Sequence, residues 1–222
     1  MSPNVGFQDR NSAGEQLAQA INAQIDQVRE RGVSASPIVY ALPRGGLPVA
    51  APVAQKLGCP LDIIVAKKIV QPEDPELAIG AVTVDGQVVW SNRLPLPKDH
   101  PQLQQALLQA QEKAIAQFDC FAAYRPKITP EGAIAILIDD GIATGMTISV
   151  AISALQLQKA AQVWIGTPVA PLGSMKFLRR ICDRVIVLET PQQFFCVSRF
   201  YVEFPQVEME DACSLLQQVN RG

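Results

Sequence analysis

A chain of 222 residues, 48% hydrophobic and 18% charged, has the composition of one globular domain of ordinary size with enough apolar content for a full core. Its formal charge of −2, its isoelectric point near 5.5 and its nineteen dispersed Lys and Arg leave no basic footprint for nucleic acid. The polar N-terminal stretch lacks a leader pattern and no apolar run is long enough to span a bilayer, so a cytoplasmic protein with no membrane partner is expected. Cys59, Cys120, Cys182, Cys196 and Cys213 are far apart and odd in number, which predicts reduced packing residues rather than a disulfide frame or a zinc site.

Residues 7–31 place Leu17, Ile21, Ile25 and Val28 at helical spacing, with Asp9 or Asn11 as cap and Gly32 as stop, so the chain opens with an amphipathic helix. Residues 37–42 read as a short strand, broken by Pro43-Arg44-Gly45-Gly46 and followed by a helix over 48–57. Residues 61–66 read as another strand whose end carries Lys67 and Lys68. Residues 71–76 hold two prolines and three acids. Strand-like pieces at 78–84 and 88–90 then flank Asp85-Gly86, a hairpin signal. A proline-rich connection over 92–101 leads into a long helix at 103–124.

Strands at 134–138, 163–167 and 184–188 alternate with helices at 148–157 and 172–180, which favours an α/β fold with a doubly wound parallel sheet. The tail departs from that pattern. Phe194, Phe195 and the aromatic residues of 200–204 are irregularly spaced, and a last helix is expected over 207–219. The whole of 1–222 reads as a single domain, with a small hood near 190–207 that also draws on the N-terminal residues.

The most informative stretch is 134–147, Ile-Ala-Ile-Leu-Ile-Asp-Asp-Gly-Ile-Ala-Thr-Gly-Met-Thr. Its uninterrupted apolar run predicts a strand buried on both faces, so Asp139 and Asp140 should emerge at the carboxyl end of a parallel strand, where open α/β sheets bind ligands. The Gly/Thr loop that follows, at a helix N-terminus, offers amides, hydroxyls and the positive end of a helix dipole to a phosphate. Two carboxylates beside a phosphate make chemical sense when the same ligand carries a diol that donates hydrogen bonds to them, as a ribose 5-phosphate does. The alternative is an ordinary βα turn with solvated aspartates.

The ordered set Asp139, Asp140, Thr144, Gly145 and Thr147 resembles the PRPP-binding motif of type I phosphoribosyltransferases, Asp-Asp-x-x-x-Thr-Gly-x-Thr. Residues 42–46 resemble the pyrophosphate loop of that family, and residues 70–82 its mobile loop, in the form carried by an uncharacterised bacterial branch. The resemblance implies a hood and a mobile hairpin loop near 69–82 beside the parallel sheet. It implies transfer of the phosphoribosyl group of PRPP to a nitrogenous base or similar acceptor, with release of pyrophosphate and Mg2+ as cofactor. On that reading Gly141, Ile142, Ala143, Thr144, Gly145, Met146 and Thr147 cradle the 5′-phosphate. Asp139 and Asp140 hold the ribose hydroxyls and are the candidate contacts for magnesium, while Arg44, Gly45, Gly46, Lys67 and Lys68 face the pyrophosphate.

Asp139, Asp140, Lys68 and Glu76 are the candidate catalytic residues, and Phe195 and Tyr201 the candidate stacking faces for the acceptor. Bland readings stand beside each: Lys67 and Lys68 as a solvated strand end, Glu76 as a surface acid, the aromatics as core. Ala143 stands where the 6-oxopurine enzymes of the family have an aspartate, which disfavours those bases and leaves the acceptor open. A PRPP-binding sensor without transferase activity is the alternative function, and a homodimer is left open. His100 has no Gly-x-Ser-x-Gly partner, and neither a Walker loop nor a dinucleotide fingerprint occurs.

Overall fold

The computed structural model describes residues 6–71, 73–91, 94 and 96–221, apart from the side chains of residues 75 and 76. Five parallel strands form the central sheet: β1 (Pro37–Ala41), β2 (Leu61–Ile63), β6 (Ile134–Ile138), β7 (Gln162–Val169) and β8 (Arg184–Glu189), in the order β2-β1-β6-β7-β8. All five residues of β6 are at most 1% exposed, as an apolar run without alternation requires. Its side chains divide between two cores. Ile134, Ile136 and Ile138 pack with α1 (Arg10–Glu30), α2 (Gly46–Leu57) and α6 (Met209–Arg221), whereas Ala135 and Leu137 pack with α4 (Met146–Leu157) and α5 (Met175–Ile181).

Helix α1 starts where Asp9 accepts from the Ser12 amide at 2.7 Å and the Ser12 hydroxyl accepts from the Asp9 amide at 3.1 Å, a reciprocal cap. Its buried stripe runs through Leu17, Ile21 and Ile25, each worth roughly 1.5–3 kcal/mol on full burial. Gly14 lies in that stripe because a Cβ there would meet the Val49 carbonyl oxygen at 2.6 Å, and this close crossing fixes α2 and the loop that precedes it.

The second strand departs from expectation. Residues 61–66 are not one strand with lysines at its end: β2 stops at Ile63, the chain turns a corner through Ile64 and Val65, and Lys67 and Lys68 lie within β3 (Ala66–Gln71). Strand β3 belongs to a separate antiparallel sheet with β4 (Asp74–Thr83) and β5 (Val88–Trp90). The apolar run resumes after the lysines at Ile69, and that residue serves a different core, shared with Ile79, Val82 and Leu103. Helix α3 (Pro101–Phe121), N-capped by the His100 imidazole, covers this small sheet. Of residues 71–76, Gln71 ends β3 and 74–76 open β4. The segment expected as a mobile hairpin loop, 69–82, falls on the antiparallel pair β3 and β4.

Phe7 pairs with Tyr201: the Phe7 amide donates to the Phe200 carbonyl at 3.0 Å and the Val202 amide to the Phe7 carbonyl at 2.9 Å. The N-terminal segment and the aromatic tail therefore make one small cluster, in which Phe7, Ala13 and Tyr201 are buried against Phe200 and Phe204.

Candidate functional site

The strand order reverses between β1 and β6, and a crevice opens beyond the carboxyl ends of these neighbours. The Leu42 amide donates to the Ile138 carbonyl at 2.9 Å, prolonging the ladder by one bond before the two chains separate into loops 42–46 and 139–145. Between them lies a cavity of about 310 Å³ lined by Arg10, Arg44, Gly45, Asp139, Asp140 and Thr147, with Gln206 and Val207 on the side of the tail.

Each loop is shaped by the other. The Gly46 amide returns to the Leu42 carbonyl at 3.0 Å, which tightens the turn after β1, and the Pro43–Arg44 peptide is cis. A Cβ on Gly45 would overlap the Asp140 carboxylate, and one on Gly46 would sit 2.8 Å from the Ile138 carbonyl oxygen. The glycines of this turn make room for the second acid and for the end of β6, a steric need beyond the anion-facing amides that the sequence suggests. Gly145 has φ +75°, the left-handed region that glycine enters without penalty, and its carbonyl accepts from both the amide (3.0 Å) and the hydroxyl (2.6 Å) of Ser149 at the start of α4.

The two carboxylates are held very differently. Asp139 accepts from the Asp140 amide at 2.9 Å, while Asp140 takes a charged hydrogen bond from Arg10 Nε at 2.8 Å. Burial first, and then the neighbouring Asp140 charge, push the Asp139 carboxyl well above the ordinary range. Burial also raises Asp140, opposed by the Arg10 guanidinium. The Asp140 carbonyl is fixed from the tail by the Tyr201 hydroxyl at 2.6 Å.

Arg10 is the residue that sequence reasoning overlooked. Its guanidinium also donates to the Pro205 carbonyl at 2.7 Å and lies 3.6 Å from the centroid of the Phe204 ring. A signal was present: Arg10 stands seven residues before Leu17, on the buried stripe of α1, where a cation requires a partner.

Lys67, the residue after Ala66 of the crevice lining, is pushed below its ordinary value by burial and by the charges of Arg44 and Lys113. Lys68 is exposed, bears electrostatically on Asp139, and lines a separate cleft against Gln105, Gln109 and Lys113 of α3. Arg44 reaches Glu208 at 3.8 Å across a solvent-exposed gap. The crevice lining thus brings together two acids and two arginines, Arg10 and Arg44, with Lys67 and Lys68 on the neighbouring strand.

The remaining expected site residues are placed as follows. Gly141 and Ile142 are buried beneath Val197 and Val169, with the Ile142 amide bonded to the Val169 carbonyl at 2.9 Å; Ala143 and Thr144 are exposed, and Met146 opens α4. Tyr201 is 5% exposed between Phe7 and Phe204 and presents no face to a ligand, while Phe195 points outward at 72% exposure beneath Arg199. Neither lines the crevice. Glu76 lies on β4, and its side chain is outside the described residues.

Among the described residues no helix is long and apolar enough to cross a membrane, and no three His, Cys, Asp or Glu side chains gather as metal ligands.

Residues 9–202 match the family model described as phosphoribosyl transferase domain. Two Mycobacterium tuberculosis proteins, from strains CDC 1551 and H37Rv, each carry a provisional phosphoribosyl transferase name and are 34% identical over 221 residues, which is 97% of this chain and 47% of theirs. The chain spans about half the length of these relatives. The crystal structure of TT1426 from Thermus thermophilus is similar at a TM-score of 0.78 and 32% identity, covering 96% of this chain and 98% of that one.

Proposed function

The chain belongs to the phosphoribosyl transferase domain family, and on that premise we propose that it transfers the 5-phosphoribosyl group of PRPP to the nitrogen of a base or similar acceptor, releasing pyrophosphate. The observation that carries this reading is the pair Asp139 and Asp140 at the end of β6, beside the Gly145 turn into α4 and in one crevice with Arg44.

In the proposed arrangement the amides and hydroxyls of residues 141–147 receive the 5′-phosphate at the start of α4. Asp139 and Asp140 accept hydrogen bonds from the ribose hydroxyls. Arg44, Lys67 and Lys68 face the pyrophosphate, so that the bond from C1 to its oxygen breaks as the acceptor nitrogen bonds to C1, the acceptor's proton passing to the departing pyrophosphate or to solvent. The ring becomes cationic as the leaving group gains charge. The acids, held by Arg10 and by the backbone, stabilise the positive ring without reorganising, which is where positioned charges lower a barrier most.

The residues present fit a magnesium ion brought in with the substrate. A hard cation that keeps most of its ligands as water and phosphate oxygens needs only one or two carboxylates from the protein, and Asp139 and Asp140 would supply them. Burial disfavours the charge on both carboxyls, and a cation held there would offset that penalty. When bound it neutralises pyrophosphate oxygens and favours their departure.

The test is pyrophosphate release from PRPP and magnesium across a panel of purine, pyrimidine and pyridine bases. Release with at least one base, absent in Asp139→Asn/Asp140→Asn, supports the reading. Wild-type release and wild-type PRPP affinity in that folded variant would remove it.

A further inference from the structure

A second cavity, of about 240 Å³, lies where the central sheet and the small sheet part company, and it shares no lining residue with the crevice. Its wall is assembled from the corner that follows β2, the Thr83–Asp85 turn, the connection after α3, and the end of α4 remote from the phosphate turn. Tyr40 projects into it from β1. That side chain is 3% exposed, and its hydroxyl has no hydrogen-bond partner among the described residues. A buried hydroxyl without an acceptor is costly, so its place in a cavity wall calls for a ligand atom.

The polar groups around Tyr40 restrict what that ligand can be. Asp62 is largely engaged: Arg125 donates to it through Nε and Nη2, both at 2.7 Å, and its Oδ1 also accepts from the Ile63 amide at 2.8 Å. The inner end therefore offers donors, namely the Tyr40 hydroxyl and the remaining N–H groups of Arg125. Burial and the Asp62 charge push the Tyr40 phenol far up, which keeps it a donor. Asp85, which accepts from the Thr83 hydroxyl at 2.5 Å, supplies an acceptor on another side of the cavity. With Asp62 neutralised by Arg125, the site has no surplus cation to attract an anion. The rest of the lining is mostly apolar, from Ile64, Val84, Phe118, Ile128 and Ala154, with the exposed Gln158 amide at its rim.

We infer that this cavity is a second small-molecule site, for a neutral flat heterocycle that presents a carbonyl acceptor to Tyr40 and Arg125 and an N–H donor to Asp85. Ring lactams and nucleobases have that chemistry and fit the volume. The occupant would touch α4, whose other end forms the phosphate turn, and Val65, the residue before Ala66 of the crevice wall. It would report on the crevice without entering it.

Calorimetry and saturation-transfer NMR with uracil, hypoxanthine and 2-pyridone on the full chain test the inference. At least one should bind with about millimolar affinity or better, the range open to so small a ligand. Binding should persist in Asp139→Asn/Asp140→Asn, weaken about tenfold in Tyr40→Phe through loss of one hydrogen bond, and disappear in Ala154→Leu, which fills the cavity. Tyr40→Phe removes a single oxygen and decides the matter should Ala154→Leu not fold. Three failures overturn the inference: none of the probes binds the wild-type chain, Tyr40→Phe binds as wild type, or binding is lost with the crevice acids, which would make the probe an acceptor in the first site. The transferase proposal stands or falls separately, on pyrophosphate release.

Discussion

Replacing Arg10 with Met removes the guanidinium that holds Asp140 while keeping an unbranched apolar stem on α1. The two side chains are 10% and 16% exposed, so the pair is largely desolvated and its Coulomb interaction is little screened. Removing one partner of a buried pair costs about 3–5 kcal/mol; the lower end applies because Asp140 borders an open crevice. For a chain of 222 residues, a loss of about 3 kcal/mol lowers Tm by about 6–12 °C. The sign with pH follows from Asp140. Its carboxyl is raised by burial and restrained by Arg10, so without Arg10 it rises further. A group whose folded pKa exceeds its unfolded value favours folding below the ordinary carboxylate range and withdraws that support as pH climbs through the folded value. The Tm deficit of Arg10→Met should therefore be largest near pH 8 and shrink towards pH 5. Scanning calorimetry of wild type, Arg10→Met, Asp140→Asn and the double variant checks it, with the double variant recovering most of the loss. An Arg10→Met protein as stable as wild type at pH 8, or a deficit that grows on acidification, refutes the argument.

Asp139→Asn/Asp140→Asn should abolish transfer and also lower Tm at pH 8, because Arg10 loses its buried carboxylate partner, with part of that loss offset by removing the Asp139 charge that burial disfavours; thermal melts beside the pyrophosphate assay show both. Gly145→Val places a branched side chain at φ +75° with its Cβ 3.3 Å from the Phe177 ring, a strain of at least about 1–2 kcal/mol, and competition by ribose 5-phosphate should weaken with it. Lys68→Ala should lower turnover more than it raises KM for PRPP if the lysine acts mainly on the departing pyrophosphate, and steady-state kinetics separates the two.

The parallel sheet was legible because its signal is local. Strand β6 is apolar at every position, and the turns after β1 and β6 are punctuated by glycine, so the loops meeting at the switch point could be placed before any coordinates. What stayed hidden depends on pairing between distant segments. One apolar run serves two sheets across the corner at Ile64 and Val65, and nothing in its periodicity marks the break. Tyr201 was legible as an aromatic of the tail but not as a buried donor to Asp140, since that role exists only once Phe7 draws the tail against α1. Arg10 is the instructive case. A lone charge on an apolar stripe announces a buried partner, but its identity lies 130 residues away.

The unliganded crevice is electrostatically unfavourable on both sides. Asp139 and Asp140 are held where their charges are disfavoured, and Lys67 is held beside Arg44 and Lys113 where its charge is disfavoured too. The acids stand at the end of β6, while Arg44 lies in the loop after β1 and Lys67 on β3 of the small sheet; Arg10 is bonded to Asp140, and both carboxyls remain raised all the same. A ligand that carries both a diol with its cation and a polyanion offsets both penalties at once, whereas ribose 5-phosphate or pyrophosphate alone offsets one. Ligand binding stabilises a native state in proportion to that relief. The rise in Tm with magnesium and PRPP should accordingly exceed the rise with either fragment at equal saturation, and the advantage should vanish in Asp139→Asn/Asp140→Asn. Equal shifts from PRPP and pyrophosphate in the wild-type chain would mean that the acids take no part in binding, and the ribose seat would have to be sought elsewhere.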